Sequence, residues 1–167
     1  MTNPTWSDLF KNPALMLGFG FGSGLSPKAP GTIGTLLGTL LFIPLIIYSI
    51  ELAWVIFAIA LLAGSWICGR SADLVGVHDH GGIVWDEFVG IWLVLLLLPT
   101  EAWSGEHQAW WWLAAFVVFR FFDIVKPWPI RWVDAKVSGG FGILLDDVLA
   151  AVFSLIGIWV IYMSILV

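Results

Sequence analysis

Six acidic residues stand beside long uncharged runs. Asp79, Asp86 and Glu87 fall in "VHDHGGIVWDEFVG" (77–90), Asp123 in "RFFDIVKPW", and Asp146 with Asp147 in "GGFGILLDDVLAAV". Ionisable groups within apolar segments are costly and mark functional sites by default. Carboxylate oxygens without thiolates suit a hard divalent cation such as Mg2+ or Mn2+ rather than zinc. A carboxylate left over, such as Asp79, or the neighbouring His80, could act as acid or base. Each adjacent pair also fits a plainer role, negative charge meeting the positive end of a helix dipole. Asp123 does not, because it closes an apolar run, where the dipole disfavours an acid.

The cations that could face these acids lie in two other segments. "GFGSGLSPKAPGTIGT" (20–35) holds five glycines, Ser23, Ser26, Thr32 and Lys28. A glycine-rich loop that opens a helix can aim backbone N–H groups at an anion, and Lys28 would add charge. It is not a Walker A motif, and by itself it reads equally as a flexible turn with capping residues. In "RFFDIVKPWPIRWVD" (120–134), Arg120 and Asp123 share a helix face at i, i+3, and Pro127 and Pro129 end that helix. Lys126, Arg131 and Trp128 also fit an ordinary membrane-interface anchor.

The elements that position these residues follow from composition. The chain has 167 residues, 60% of them hydrophobic and 11% charged, against about a quarter charged in soluble domains. Such a chain cannot cover itself with polar surface, so it reads as a membrane protein. Twelve tryptophans fit amphipathic rings at bilayer interfaces. The net charge of −5 argues against nucleic acid as a partner. Cys68 stands alone and supports neither a disulfide nor a thiolate metal site. No basic patch followed by an apolar core marks a signal peptide near residue 1.

Five apolar stretches, 33–50, 52–69, 83–99, 109–125 and about 148–166, approach the roughly 17–25 residues a spanning helix needs. The expectation is an all-α, multi-pass membrane bundle of about five apolar helices, one domain over 1–167. With residue 1 in the cytoplasm, Lys11, Lys28, Arg70, Arg120, Lys126, Arg131 and Lys136 all fall on the cytoplasmic side. The opposite loops carry no Lys or Arg, a strong positive-inside signal. The same threading brings the polar clusters of four segments to one depth at the cytoplasmic face. The main alternative, an ion-coupled transporter, would place acids near mid-span and show repeat symmetry.

Together, "GFGSGLSPKAPGTIGTL" (20–36), "GVHDHGGIVWDEFVGIW" (76–92), "RFFDIVKPWPIRWVD" (120–134) and "GGFGILLDDVLAAV" (139–152) resemble the phosphatidylglycerophosphatase A family in order and spacing. The resemblance implies a Mg2+-dependent lipid phosphatase of the bacterial inner membrane. Its substrate would be phosphatidylglycerol phosphate and its product phosphatidylglycerol. Membrane lipids would be its surroundings, and no protein partner is implied. On that expectation Asp86, Glu87, Asp123, Asp146 and Asp147 form the pool of metal ligands, directly or through water. Ser23, Lys28, Thr32, Arg120 and Lys126 would hold the phosphate, and Asp79, His80, Asp86 and Asp123 would carry the acid–base work.

Overall fold

The structure, a computed structural model, describes residues 4–77, 80–104 and 106–166. Among these it is helical without strands. Two short helices, α1 (Trp6–Lys11) and α2 (Pro13–Gly18), lead through 3-10 turns at Gly20–Leu25 into α3 (Pro30–Tyr48) and α4 (Ile50–Val75). Then follow α5 (Trp85–Leu96), α6 (Gln108–Val125), the short α7 (Ile130–Lys136) and α8 (Gly139–Leu166).

The helix ends follow local chemistry. Pro30, whose missing N–H costs nothing in a first turn, opens α3. Ser49 caps α4 by accepting the amide of Leu52 at 3.2 Å, with Glu51 in the positive first turn. Gly76 closes α4 in the left-handed region at φ 74°. Lys126 closes α6 the same way at φ 44°, an unusual conformation for a residue with a side chain.

Among the described residues, four helices are long and apolar enough to cross a membrane: Pro30–Tyr48, Ile50–Val75, Gln108–Val125 and Gly139–Ser164. The stretch expected to cross third, 83–99, is instead the 12-residue α5. At 1.5 Å per residue it is about 18 Å long, short of the ~30 Å hydrocarbon core. All of its residues except Asp86 and Leu93 are buried. An apolar circumference is what a helix surrounded by protein requires, and lipid requires the same. Composition therefore could not separate a core helix from a spanning one.

Around α5 pack α3, α4, α6 and α8. Lipid tails are as apolar as leucine, so close packing and buried polar contacts hold such helices together. Small residues make the approach possible. A Cβ on Gly140 of α8 would stand 1.9 Å from the Ser65 carbonyl oxygen and 2.3 Å from the Gly69 amide nitrogen of α4. The Trp85 indole donates to the Ala60 carbonyl at 3.2 Å, and the Trp92 indole to that of Gly38 at 3.0 Å. Phe42 stacks on Trp92 with ring centroids 4.5 Å apart.

These contacts set the helix directions. Gly31 and Gly38 of α3 face Glu87 and Phe88–Ile91 of α5, so the two run parallel. Gly64 and Gly69 of α4 meet Leu144 and Gly140 of α8, so those two run antiparallel. The Trp159 indole of α8 donates to the Leu97 carbonyl at the far end of α5. One end of the bundle thus collects the starts of α3, α5 and α8 and the ends of α4 and α6.

Candidate active site

That end carries a cavity of about 130 Å3 lined by Asp86, Glu87, Asp123, Lys126, Asp134, Asp146 and Asp147, with Gly81, Ile83, Val137, Gly142 and Ile143 completing its wall. Four segments distant in sequence therefore converge on it. Asp86 and Glu87 sit in the first turn of α5, where the dipole favours negative charge. Asp146 and Asp147 do not: α8 begins at Gly139, well before the expected start near 148, so the pair lies two turns inside the helix. A helix terminus cannot account for them. They are buried, 5% and 2% exposed, with Asp146 bonded to Lys126 and Asp147 close to Asp86 and Glu87 of α5.

Fixed cations answer part of this charge. Arg120 bonds Asp123 one turn along α6, lies 3.7 Å from Glu87 Oε1, and donates to the Thr35 hydroxyl at 3.4 Å. Lys126 bonds Asp146 of α8 and Asp134 of α7, the latter at 2.9 Å. Burial works against the lysine's charge, but hydrogen bonds to Asp146 and Asp134 outweigh it and hold the ammonium above its ordinary pKa. Lys126 is therefore a cation at any neutral pH.

Other oxygens have no such answer. Asp86 Oδ1, Glu87 Oε2, Asp146 Oδ1 and Asp147 Oδ2 are buried without a hydrogen-bond donor among the described residues, and so is the Arg120 Nε–H without an acceptor. Buried polar atoms left unpaired are costly and call for a partner. Asp86, Glu87 and Asp147 can each offer one oxygen within 4.8 Å of the others. Such a set of all-oxygen donors fits a hard divalent cation, and the orphaned Arg120 N–H fits a phosphoryl oxygen.

Of the residues singled out in the sequence, Asp86, Glu87, Asp123, Asp146, Asp147 and Lys126 line the cavity, and Arg120 borders it through Glu87 and Asp123. His80 lines an adjoining cavity that meets the acidic one at Gly81, and its Nδ1 accepts the Gly82 amide at 3.0 Å. Ser23 donates to the Gly20 carbonyl at 2.8 Å, inside its own turn. The amides of Gly22, Gly24 and Ser26 likewise donate within the loop. Lys28 is exposed and lies outside the cavity wall. Thr32 is half-buried in the first turn of α3. Asp79 lies outside the described residues.

Three neighbours went unremarked in the sequence. Gly31 leaves the space Glu87 and Arg120 fill: a Cβ there would stand 2.3 Å from Glu87 Oε1 and 3.2 Å from both terminal nitrogens of Arg120. Thr35 accepts from Arg120 while its own hydroxyl donates to the Gly31 carbonyl at 2.8 Å. Asp134 holds Lys126. The i, i+4 spacing of Gly31 and Thr35 was a signal, since it puts both on one helix face. Nothing in sequence separates Asp134 from any other surface acid.

Comparisons with known proteins bear on this geometry. No solved structure matches the chain significantly. Phosphatidylglycerophosphatase A of Haemophilus influenzae is 46% identical over 160 residues, covering 95% of this chain and 94% of that one. Phosphatidylglycerophosphatase A of Escherichia coli K12 is 45% identical over 148 residues, 86% of this chain and 80% of that one. A protein of Bacteroides thetaiotaomicron, named as a candidate phosphatidylinositol-3-phosphatase, is 40% identical over 149 residues, 85% and 89% of the two chains. With the family's own profile matching residues 16–162, a stretch that includes every charged residue of the cavity, this chain belongs to the phosphatidylglycerophosphatase A family.

Proposed function

We propose that this chain is a divalent-cation-dependent membrane phosphatase that hydrolyses phosphatidylglycerol phosphate to phosphatidylglycerol and inorganic phosphate. One observation carries the reading: in a member of this family, six carboxylates and Lys126 line a single cavity at one end of an apolar bundle, with Arg120 at its border. A lipid phosphomonoester would present its phosphate at that depth while its tails stay among the exposed apolar faces of the helices. Seven basic residues fall at the same end, which supports a cytoplasmic-facing site in the bacterial inner membrane.

In this mechanism Asp86, Glu87 and Asp147 would hold a Mg2+ ion, which when bound would offset phosphoryl charge and make water more acidic. Arg120 and Lys126 bind the non-bridging phosphoryl oxygens, where charge develops as the ester bond breaks. A carboxylate of the cavity takes a proton from the attacking water. The water oxygen bonds to phosphorus, the lipid alkoxide leaves, and that proton ends on the alkoxide. A transporter finds no support in this geometry, because the acids sit at one end of the bundle rather than at mid-span.

The name of the Bacteroides relative favours one second reading, a phosphomonoester on an inositol head group. Phosphate release from short-chain phosphatidylglycerol phosphate and from phosphatidylinositol 3-phosphate, with and without EDTA, tests both. Release from the first substrate, abolished by EDTA and restored by Mg2+, is expected. EDTA-resistant release, or none from either lipid, would refute the proposal.

A further inference from the structure

The six carboxylates of the cavity are not equivalent. Asp123 is bonded to Arg120, and both Asp146 and Asp134 to Lys126. Asp86, Glu87 and Asp147 bring oxygens within 4.8 Å of one another, and each has an oxygen without a donor; Asp146 Oδ1 also lacks one, but Asp146 lies outside that group and holds Lys126 on its other oxygen. Asp147 and Glu87 are at least nine-tenths buried, so water at the surface does not satisfy them. A two-ion centre places its metals about 3.5–4 Å apart and needs further carboxylates for the second ion. Here the further carboxylates already carry side-chain cations.

Lys126 is held there by more than attraction. Its backbone takes the left-handed conformation, φ 44° and ψ 62°, which turns the chain at the end of α6. Asp134 of α7 bonds the same ammonium at 2.9 Å, alongside Asp146. Such a conformation persists at a non-glycine residue where the surroundings over-determine it.

We infer that the cavity takes a single divalent ion, on Asp86, Glu87 and Asp147, and that Lys126, pinned by Asp134, occupies the place a second ion would take beside Asp146. Asp134 is thus a positioning residue that acts through Lys126. The inference rests on the phosphatase reading for the ion's purpose, but the count of ions is measured without turnover.

The test is Mn2+ binding to purified protein in detergent micelles, counted by isothermal titration and examined by electron paramagnetic resonance. Wild type is expected to bind one Mn2+ per chain, with an uncoupled six-line spectrum. Asp147→Asn should lose that ion, and Asp146→Asn should keep it. Lys126→Gly removes the ammonium while suiting the left-handed backbone, and should admit a second ion with a coupled spectrum. Lys126→Arg, which restores the cation, should return the count to one. Two coupled ions in wild type would overturn the inference even if the Lys126→Gly protein fails to fold. No ion in wild type, or loss of binding in Asp146→Asn equal to that in Asp147→Asn, would also overturn it. Phosphate release on the same samples keeps the two readings apart: one bound Mn2+ without hydrolysis sinks the phosphatase and leaves the count standing.

Discussion

Gly31 and Glu87 share one small volume: the carboxylate oxygen of Glu87 stands 2.3 Å from where a Cβ on Gly31 would be. The first turn of α3 is therefore the floor under the Arg120–Glu87 contact, and Gly31→Ala must push one of the two aside. Displacing a group that orients metal ligands typically costs 10–100-fold. We expect kcat/KM to fall by roughly that factor. The melting temperature should move little, because Glu87 and Arg120 can shift toward the cavity. Unchanged kcat/KM in Gly31→Ala would remove this floor from the site.

Arg120 reaches Asp123, Glu87 and the Thr35 hydroxyl from one side chain. Lysine carries the charge but not the planar fork. Arg120→Lys should lose about 100-fold in kcat/KM, the scale of one lost transition-state donor. Steady-state kinetics on a short-chain substrate will show it, and a change confined to KM would mean that Arg120 only binds the ground state.

Mg2+ titrations separate the acids. Asp147→Asn and Asp86→Asn should raise the Mg2+ concentration for half-maximal rate by about tenfold or more, with kcat also reduced, since each removes a charge from an oxygen cage. A Lys28→Ala protein, altered outside the cavity wall, should show wild-type Mg2+ dependence whatever happens to its KM.

The Lys126 ammonium should not titrate in the neutral range. Its folded pKa lies above the ordinary lysine value. The stability it contributes is therefore fully present below the unfolded pKa, about 10.4, and is lost only as pH rises through the folded value. The difference in melting temperature between wild type and Lys126→Gly should stay constant from about pH 8 to 9. A difference that vanishes within that window would show that Lys126 titrates there.

Packing makes a separate prediction. Gly140→Ala forces a methyl group against the Ser65 carbonyl and the backbone of Gly69, an overpacking usually worth about 1–3 kcal/mol. Gly81→Ala meets nothing within 4 Å and should change stability by less than about 0.5 kcal/mol. Unfolding in mixed micelles compares the two directly, and equal stabilities would contradict the close approach of α4 and α8.

Much of this protein was legible from residues alone. Charge scarcity and long apolar runs declared a helical membrane bundle, because a chain that is 11% charged cannot face water all round. The order of the apolar runs and the one-sided basic residues placed Asp86, Glu87, Asp123 and Asp146–Asp147 at one end. Helix length and burial were not legible. The run 83–99 looked like a crossing because protein and lipid reward the same apolar surface, yet the folded chain makes it a short helix walled in by four others. The start of α8 moved back to Gly139, since Gly140 is a small residue fitted against α4 and Gly142 against Val137 rather than parts of a loop. Sequence also grouped the carboxylates without ranking them. Only the fold decided that Arg120 takes Asp123, that Lys126 turns back to Asp146, and that Asp86, Glu87 and Asp147 bring oxygens within 4.8 Å of one another. Pairing among charges depends on distances between side chains from separate helices, and those distances exist only once the helices have packed.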